Sequence, residues 1–131
     1  MKQETWLPAV PEAAPVARAL VREAAAEHGI EGRGAWELML ATTEAVANAI
    51  EHGKACPRYG GAILLRIEAR DDGLCVEVCD CGEFELRPPP VDLEAPRGRG
   101  IPLMAAVVDR LELRPDEDQT RVRFVKSSHA A

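Results

Sequence analysis

The chain has 131 residues, of which 47% are hydrophobic. This length predicts one domain over residues 1–131, with a core that needs neither disulfides nor metals. The formal net charge of −6 argues against direct nucleic-acid binding, because neutralising phosphates requires a clustered excess of Lys and Arg. No apolar segment approaches the length of a membrane span, about 20 residues, and the first residues lack the basic-then-apolar order of a signal peptide. We therefore expect a cytoplasmic protein.

The first part of the chain predicts one strand followed by two helices. Thr5-Trp6-Leu7 is typical of a short strand. From Glu12 to His28 the apolar residues keep helical spacing, and Gly29 is typical of a C-terminal cap. After a turn at residues 32–34, a second helix is predicted over residues 35–52.

This second helix carries a polar stripe. Glu44, Asn48 and His52 recur every four residues, and at about 100° per residue this spacing places them one above another along the helix. The side predicted to face the core consists of Trp36, Met39, Leu40, Thr43, Val46, Ala47 and Ile50. One face of the helix is thus expected to pack, and the other to border a cleft.

The remaining part predicts two hairpins separated by a loop and a helix. Alternating strands at 63–69 and 74–80 flank the turn Asp71-Asp72-Gly73. Residues 83–97 are rich in proline and predict a long loop, which in a compact domain is often functional. A third helix at 101–110 and strands at 111–113 and 120–125 follow. This order of elements predicts an α+β two-layer sandwich, with a mostly antiparallel sheet and helices on one face.

Four cysteines occur, at positions 56, 75, 79 and 81. Cys75, Cys79 and Cys81 lie on one side of a predicted strand, so a thiolate metal site is conceivable, but no nearby histidine completes a set of four ligands. The spacing favours buried, reduced thiols with a structural role.

Two further motifs flank the predicted loop. Asp80-Cys81-Gly82 ends a strand, and Gly98-Arg99-Gly100-Ile101 precedes a helix. Glycines before a helix leave backbone N–H groups free to bind phosphate, and Arg99 adds positive charge beside them. A dinucleotide-binding fingerprint is excluded, because Leu103 replaces its third glycine and no strand precedes the motif.

Three motifs, in this order, resemble the nucleotide-binding boxes of the GHKL ATPase and kinase superfamily, which has the Bergerat fold. The first is the polar stripe, which reads Glu44-x-x-x-Asn48-Ala49-x-x-His52-Gly53, and the other two are the motifs that flank the predicted loop. The chain is most similar to its branch of anti-sigma factor serine/threonine kinases, which are histidine kinase-like ATPase domains, and the resemblance covers nearly the whole chain. It implies binding of ATP and Mg²⁺, with Glu44 as the catalytic base, Asn48 as the metal ligand and Asp80 as the acceptor for the adenine amine. The other nucleotide-binding residues that it implies are His52, Gly82, Gly98, Arg99, Gly100, Ile101 and Thr120. Residues 83–97 would form a lid.

The resemblance also implies partners. The chain would phosphorylate an anti-anti-sigma protein of the STAS type, sequester a sigma factor and form a homodimer. An alternative is a non-catalytic regulatory module that sequesters a transcription regulator, because Phe84, Pro102 and Gln119 stand where relatives often have glycine. A sensor histidine kinase is disfavoured, since 131 residues leave no room for dimerisation helices bearing a phosphoacceptor histidine.

Overall fold

The structure is a computed structural model that describes residues 2–52, 62–80, 104, 106–115 and 120–127. Its elements, in chain order, are β1 (Lys2–Pro8), α1 (Ala13–Glu27), α2 (Gly32–His52), β2 (Ala62–Arg70), β3 (Gly73–Asp80), β4 (Arg110–Pro115) and β5 (Thr120–Ser127). The strands form one antiparallel sheet in the order β1-β2-β3-β5-β4. Helix α1 contacts β1, β2 and β3, whereas α2 contacts β3 and β5, and the two helices pack side by side. The predicted α+β sandwich is confirmed.

The end of α1 has the predicted glycine cap. Gly29 adopts a positive φ of 75°, which is costly for residues with a Cβ atom. Its N–H donates to the Ala26 carbonyl, and the N–H of Ile30 donates to the Ala25 carbonyl at 2.8 Å. Ile30 is buried in the core. This pair of hydrogen bonds ends the helix and turns the chain back toward α2.

Two predictions for α2 are wrong. The helix begins at Gly32, so the residues assigned to a turn are helical. Its core face differs in part from the predicted one, because Val46 is buried as predicted and Ile50 packs against the core, but the face extends to the other side of Val46. Trp36, predicted to be in the core, is 56% exposed. The residues of α2 that are buried are Leu38, Ala41, Thr42, Ala45, Val46 and Ala49.

The physical reason is the size of the side chains that face the sheet. Small alanines let the helix axis approach the strands closely, whereas a stripe built on Trp36 and Met39 would hold it away. Burial of Thr42 is tolerated because its hydroxyl donates to the Leu38 carbonyl at 2.8 Å, which leaves no polar group unpaired.

The third predicted helix is only partly within the described residues. Met104, Ala106 and Val107 are helical, and the N–H of Val108 donates to the Met104 carbonyl at 3.2 Å. Strand β4 begins at Arg110, so this helix ends earlier than predicted. The loop predicted at 83–97 lies outside the described residues.

A row of five charged residues crosses the open face of the sheet, which is the face opposite the helices. One residue comes from each strand, and neighbours in the row are directly paired in register: Glu4, Arg66, Glu77, Arg123 and Glu112. The sign of the charge alternates along this row, which we call the charge ladder. Opposite charges on directly paired residues stabilise a sheet.

Glu77 is the buried centre of the charge ladder. It is 3% exposed and accepts hydrogen bonds from Arg66 Nη1 at 3.0 Å, Arg123 Nε at 2.9 Å and the thiol of Cys79 at 3.3 Å. Burial alone raises the pKa of the Glu77 carboxyl, but these hydrogen bonds and the charge of Arg123 hold its pKa below the ordinary value.

Both described cysteines lie on the same open face and are free, buried thiols, as predicted. Burial, and then the charge of Glu77, raise the pKa of Cys79 to about 12. In the described part of the chain, no group of three or more His, Cys, Asp or Glu could hold a metal ion. Cys56 and Cys81 lie outside that part.

Candidate functional site

The N-terminal half of α2 is anchored at one end of the sheet. Lys126, near the end of β5, forms an ion pair with Glu37 at 3.5 Å and also donates to the Val107 carbonyl at 3.2 Å. At this same end β3 begins, because Gly73 is paired with Ser127. The start of α2 and the start of β3 therefore lie together.

The C-terminal half of α2 lies toward the opposite end of the sheet. Buried residues from Leu38 to Ala49 keep α2 packed on the sheet along this length. From Glu37 to Asn48 the helix rises about 16 Å, and from Lys126 back to Thr120 strand β5 spans about 20 Å. Asn48 therefore approaches the end at which β3 finishes and β5 begins.

Glu44 and Asn48 are half-buried and lie on the flank of α2 that points away from α1. The orientation follows from Thr43, whose hydroxyl accepts a hydrogen bond from Arg18 of α1 at 3.2 Å and donates to the Met39 carbonyl at 2.8 Å. Glu44 is about 100° and Asn48 about 140° further round the helix than Thr43. The carboxylate and the carboxamide thus project beside the core, on one stripe.

Asp80 is the last residue of β3 and lies at the same end of the sheet. Its register partner is Thr120, the first residue of β5. Because side chains alternate along a strand, Asp80 lies on the same face as the buried Val76 and Val78, which is the face covered by the helices. It is 9% exposed. A largely buried carboxylate binds an amine donor more strongly than a solvated carboxylate does, because burial strengthens the hydrogen bond.

The described part of the site therefore consists of the C-terminal half of α2 and the paired ends of β3 and β5. The predicted residues Gly82, Gly98, Arg99, Gly100 and Ile101 lie outside the described residues, as do the side chains of His52 and Thr120. The donor set that is described suits the implied ligands, because carboxylate and carboxamide oxygens are what Mg²⁺ prefers and a carboxylate matches an amine.

Sequence reasoning missed two sets of polar residues near this site. One is the tie between Arg18 and Thr43, which joins α1 to the turn of α2 that carries Glu44. The other is the charge ladder behind the sheet. Its sequence signal was present, since Glu77 and Arg123 occupy alternating positions between apolar residues that face the core.

Comparison with known proteins gives the following matches. The family model for the histidine kinase-like ATPase domain matches residues 7–126. The structure is similar to a solved structure of the RsbU and RsbW domains of Rv1364c from Mycobacterium tuberculosis, with a TM-score of 0.74 and 23% sequence identity. This match covers 96% of the chain and 31% of the solved chain, so the chain spans about a third of that protein's solved length. None of the curated proteins compared matches the sequence. No helix in the described ranges has the length and apolar character needed to cross a membrane.

Proposed function

Because the chain belongs to the histidine kinase-like ATPase domain family, which implies ATP binding, we propose that it is an ATP- and Mg²⁺-dependent anti-sigma factor serine/threonine kinase. It would phosphorylate an anti-anti-sigma protein of the STAS type, sequester a sigma factor when that partner is unavailable, and act in the cytoplasm as a homodimer. One observation supports the proposal: α2, which carries Glu44 and Asn48 in its C-terminal half, runs from its ion pair with Lys126 toward the sheet end at which Asp80 and Thr120 are paired.

Each residue has a role that its chemistry suits. Asp80 accepts a hydrogen bond from the adenine amine, and Asn48 holds the metal through its neutral carboxamide oxygen. Glu44 accepts the proton of the acceptor hydroxyl on the protein substrate. Gly98, Arg99, Gly100 and Ile101 bind the phosphates through backbone N–H groups and one positive charge. Bound ATP and Mg²⁺ would supply the phosphoryl group and the charge neutralisation, so that positioning is the main task of the protein.

Nucleotide binding is tested by calorimetric titration with ATP, with and without Mg²⁺. We expect Asp80→Asn to weaken binding about tenfold or more, because it removes a charged acceptor and offers a donor to an amine. Asn48→Ala is expected to remove the dependence of binding on Mg²⁺. Glu23→Gln is the matched control, since it changes an exposed carboxylate on α1. Equal affinities for all four proteins would contradict the site.

Phosphotransfer is tested with radiolabelled ATP and purified candidate STAS-domain proteins. Glu44→Gln is expected to lower the rate by a factor on the order of 100 to 10,000, the usual contribution of a general base, while ATP affinity is unchanged. The same assay separates the two candidate functions. If the wild-type chain binds ATP but labels no partner, the non-catalytic regulatory module is favoured and the role of Glu44 is rejected.

A further inference from the structure

The outer edge of β4 can receive another strand. β4 is last in the strand order, so among the described strands it is paired on one side only, with β5. Leu111 and Leu113 lie on the helix face, because they are paired with the buried Phe124 and Val122. Both leucines are only partly buried where they pack against the core. An extended segment beside β4 would pair with its outer N–H and C=O groups and cover these leucines.

The open face of β4 alternates in charge along the strand. Arg110, Glu112 and Arg114 stand at successive open-face positions, in the order base, acid, base. The side chain of Arg110 is 69% exposed and lies 4.0 Å from that of Glu112, which is 29% exposed. Glu112 is also the last residue of the charge ladder. A strand that continued the alternation would place an acid opposite each arginine and a base opposite Glu112.

This part of the open face also has an excess of positive charge. The described residues of β4 and β5 place four arginines at open-face positions and one acid, Glu112. The arginines are Arg110, Arg114, Arg121 and Arg123. The whole chain, in contrast, has a formal net charge of −6. A segment with more acids than bases is therefore attracted here, whereas the net charge of the chain repels it elsewhere.

We propose that the β4 edge binds an extended segment of a partner protein in which an acidic, a basic and a second acidic residue alternate with apolar residues. The three charged residues would pair with Arg110, Glu112 and Arg114 on the open face. The apolar residues would contact Leu111 and Leu113 on the helix face. Because this pattern reads the same in both directions, it fits a parallel or an antiparallel strand. The inference goes beyond the proposed function, and it does not depend on nucleotide binding.

Two other occupants match this edge less well. An antiparallel second copy of β4 about an axis through Glu112 would place like charges opposite one another at all three positions. An axis one residue to either side pairs Glu112 with an arginine of the copy, but it leaves the other arginine opposite a residue outside β4, at position 108 or 116. A nucleic acid would place phosphate opposite Glu112. The acid, base, acid pattern meets all three charges.

The test uses short synthetic peptides as probes. The matching peptide contains Glu-Val-Lys-Val-Glu between two threonines, and a permuted peptide of the same composition contains Glu-Val-Glu-Val-Lys. Each is titrated into isotope-labelled protein, so that amide chemical shifts give both the dissociation constant and the place of binding. We expect the matching peptide to shift the β4 amides. It should bind about fivefold or more tightly than the permuted peptide, which places an acid opposite Glu112 and a base opposite an arginine.

Glu112→Lys tests the central pair. This variant should bind a peptide with Glu-Val-Glu-Val-Glu more tightly than the matching peptide, which is the reverse of the wild-type order. A reversed preference excludes misfolding as the cause. Glu68→Lys is the matched control, because it makes the same charge change at an exposed open-face position on β2. It should keep the wild-type order of affinities.

The peptide backbone distinguishes strand pairing from simple attraction between charges. N–H groups of alternate residues in a strand point to the same edge. N-methylation of the two valines therefore removes donors from one edge of the matching peptide, and N-methylation of its three charged residues removes them from the other. One methylated peptide should bind as the parent does, and the other should not bind.

The proposal is overturned if the matching peptide leaves the β4 amides unshifted, if the permuted peptide binds as tightly, or if Glu112→Lys keeps the wild-type preference. It is also overturned if both methylated peptides bind alike. A shift of the β4 amides with protein concentration, in the absence of peptide, would mean that a second copy occupies the edge, and this too would overturn it. Failure of ATP binding in the calorimetric titration would leave these outcomes unchanged.

Discussion

Arg123 on β5 holds the carboxylate of Glu77 on β3 with two nitrogen atoms, Nε at 2.9 Å and Nη2 at 2.8 Å from the same oxygen, Oε2. Arg66 on β2 holds the other oxygen at 3.0 Å. One buried carboxylate therefore links the three central strands on the open face. On the helix face, Asp80 lies three residues further along β3, about 10 Å away, and is paired in register with Thr120, so the charge ladder lies behind the candidate nucleotide site.

Removing this carboxylate is expected to destabilise the fold. Glu77→Gln keeps the size of the side chain but leaves Arg66 and Arg123 without their buried counter-charge. We expect a loss of about 2 kcal/mol in the free energy of unfolding, below the range for fully buried pairs because both arginines are partly exposed. Urea unfolding followed by circular dichroism measures it. The control is Glu68→Gln. Glu68 forms an exposed ion pair with Arg70 at 3.8 Å, and its removal should change the free energy of unfolding by about 0.5 kcal/mol or less.

The same carboxylate predicts a dependence of stability on acid. The pKa of Glu77 in the folded chain lies below the ordinary value of 4.5, because hydrogen bonds and the charge of Arg123 outweigh the effect of burial. Such a group contributes stability above the unfolded pKa and loses it as pH falls through the folded pKa. The difference in unfolding free energy between wild type and Glu77→Gln should therefore be constant near neutral pH and shrink below about pH 4.5. A difference that does not change down to pH 3 would contradict the assignment.

The thiol beside Glu77 is expected to be unreactive. Burial and the neighbouring carboxylate raise the pKa of Cys79 to about 12, so little thiolate exists near pH 8. Alkylation by iodoacetamide, located by fragment-ion mass spectrometry, should be slow at Cys79 in the native protein and fast in urea. An added thiol at the exposed position Ala47, in the Ala47→Cys variant, is the control and should react in both conditions. Rapid native labelling of Cys79 would show that this face opens.

The hairpins could be predicted because their signals are local. Strands β2 and β3 are joined by Asp71-Asp72, and in each the apolar residues that face the helices alternate with residues of the open face, although in β3 both sets are buried. Helix α1 was similarly clear, because Gly29 supplies the positive φ that its cap requires. These elements depend on residues a few positions apart, which a single sequence displays directly.

The core face of α2 could not be predicted with the same means. Two stripes keep helical spacing, one that contains Trp36 and one that contains Ala41 and Ala45. The larger side chains of the Trp36 stripe led to the prediction that this stripe faces the core, which is wrong for Trp36. The choice between them depends on how closely the helix approaches β3 and β5, which is a property of strands distant in the chain. Tertiary packing overrode the periodicity.

The candidate site was predictable in its residue types but not in its placement. The spacing of Glu44 and Asn48 shows that they share a stripe. Their position relative to Asp80 depends on the ion pair between Glu37 and Lys126, which lie 89 positions apart and fix the direction of α2 along the sheet. No local pattern contains that information. The prediction that these residues share one site came from the motif order, through the family resemblance.

The last prediction concerns two glycines that contact the same residue, Lys126. A Cβ atom on Gly73 would overlap the Lys126 carbonyl oxygen and lie 3.0 Å from the Ser127 Cα atom, and both are backbone atoms that cannot move without breaking the β3–β5 pairing. A Cβ atom on Gly34 would meet only side chains, the Ile30 Cγ2 atom at 3.2 Å and the Lys126 Cε atom at 3.8 Å.

Gly73→Ala should therefore cost about 2–3 kcal/mol in the free energy of unfolding. Gly34→Ala should change it by less than about 1 kcal/mol, because the gain in helix propensity offsets the tight contact with a movable methyl group. Thermal unfolding of both variants measures the difference. An equal loss in the two proteins would mean that β3 and β5 do not approach each other as closely at Gly73 as the structure has them.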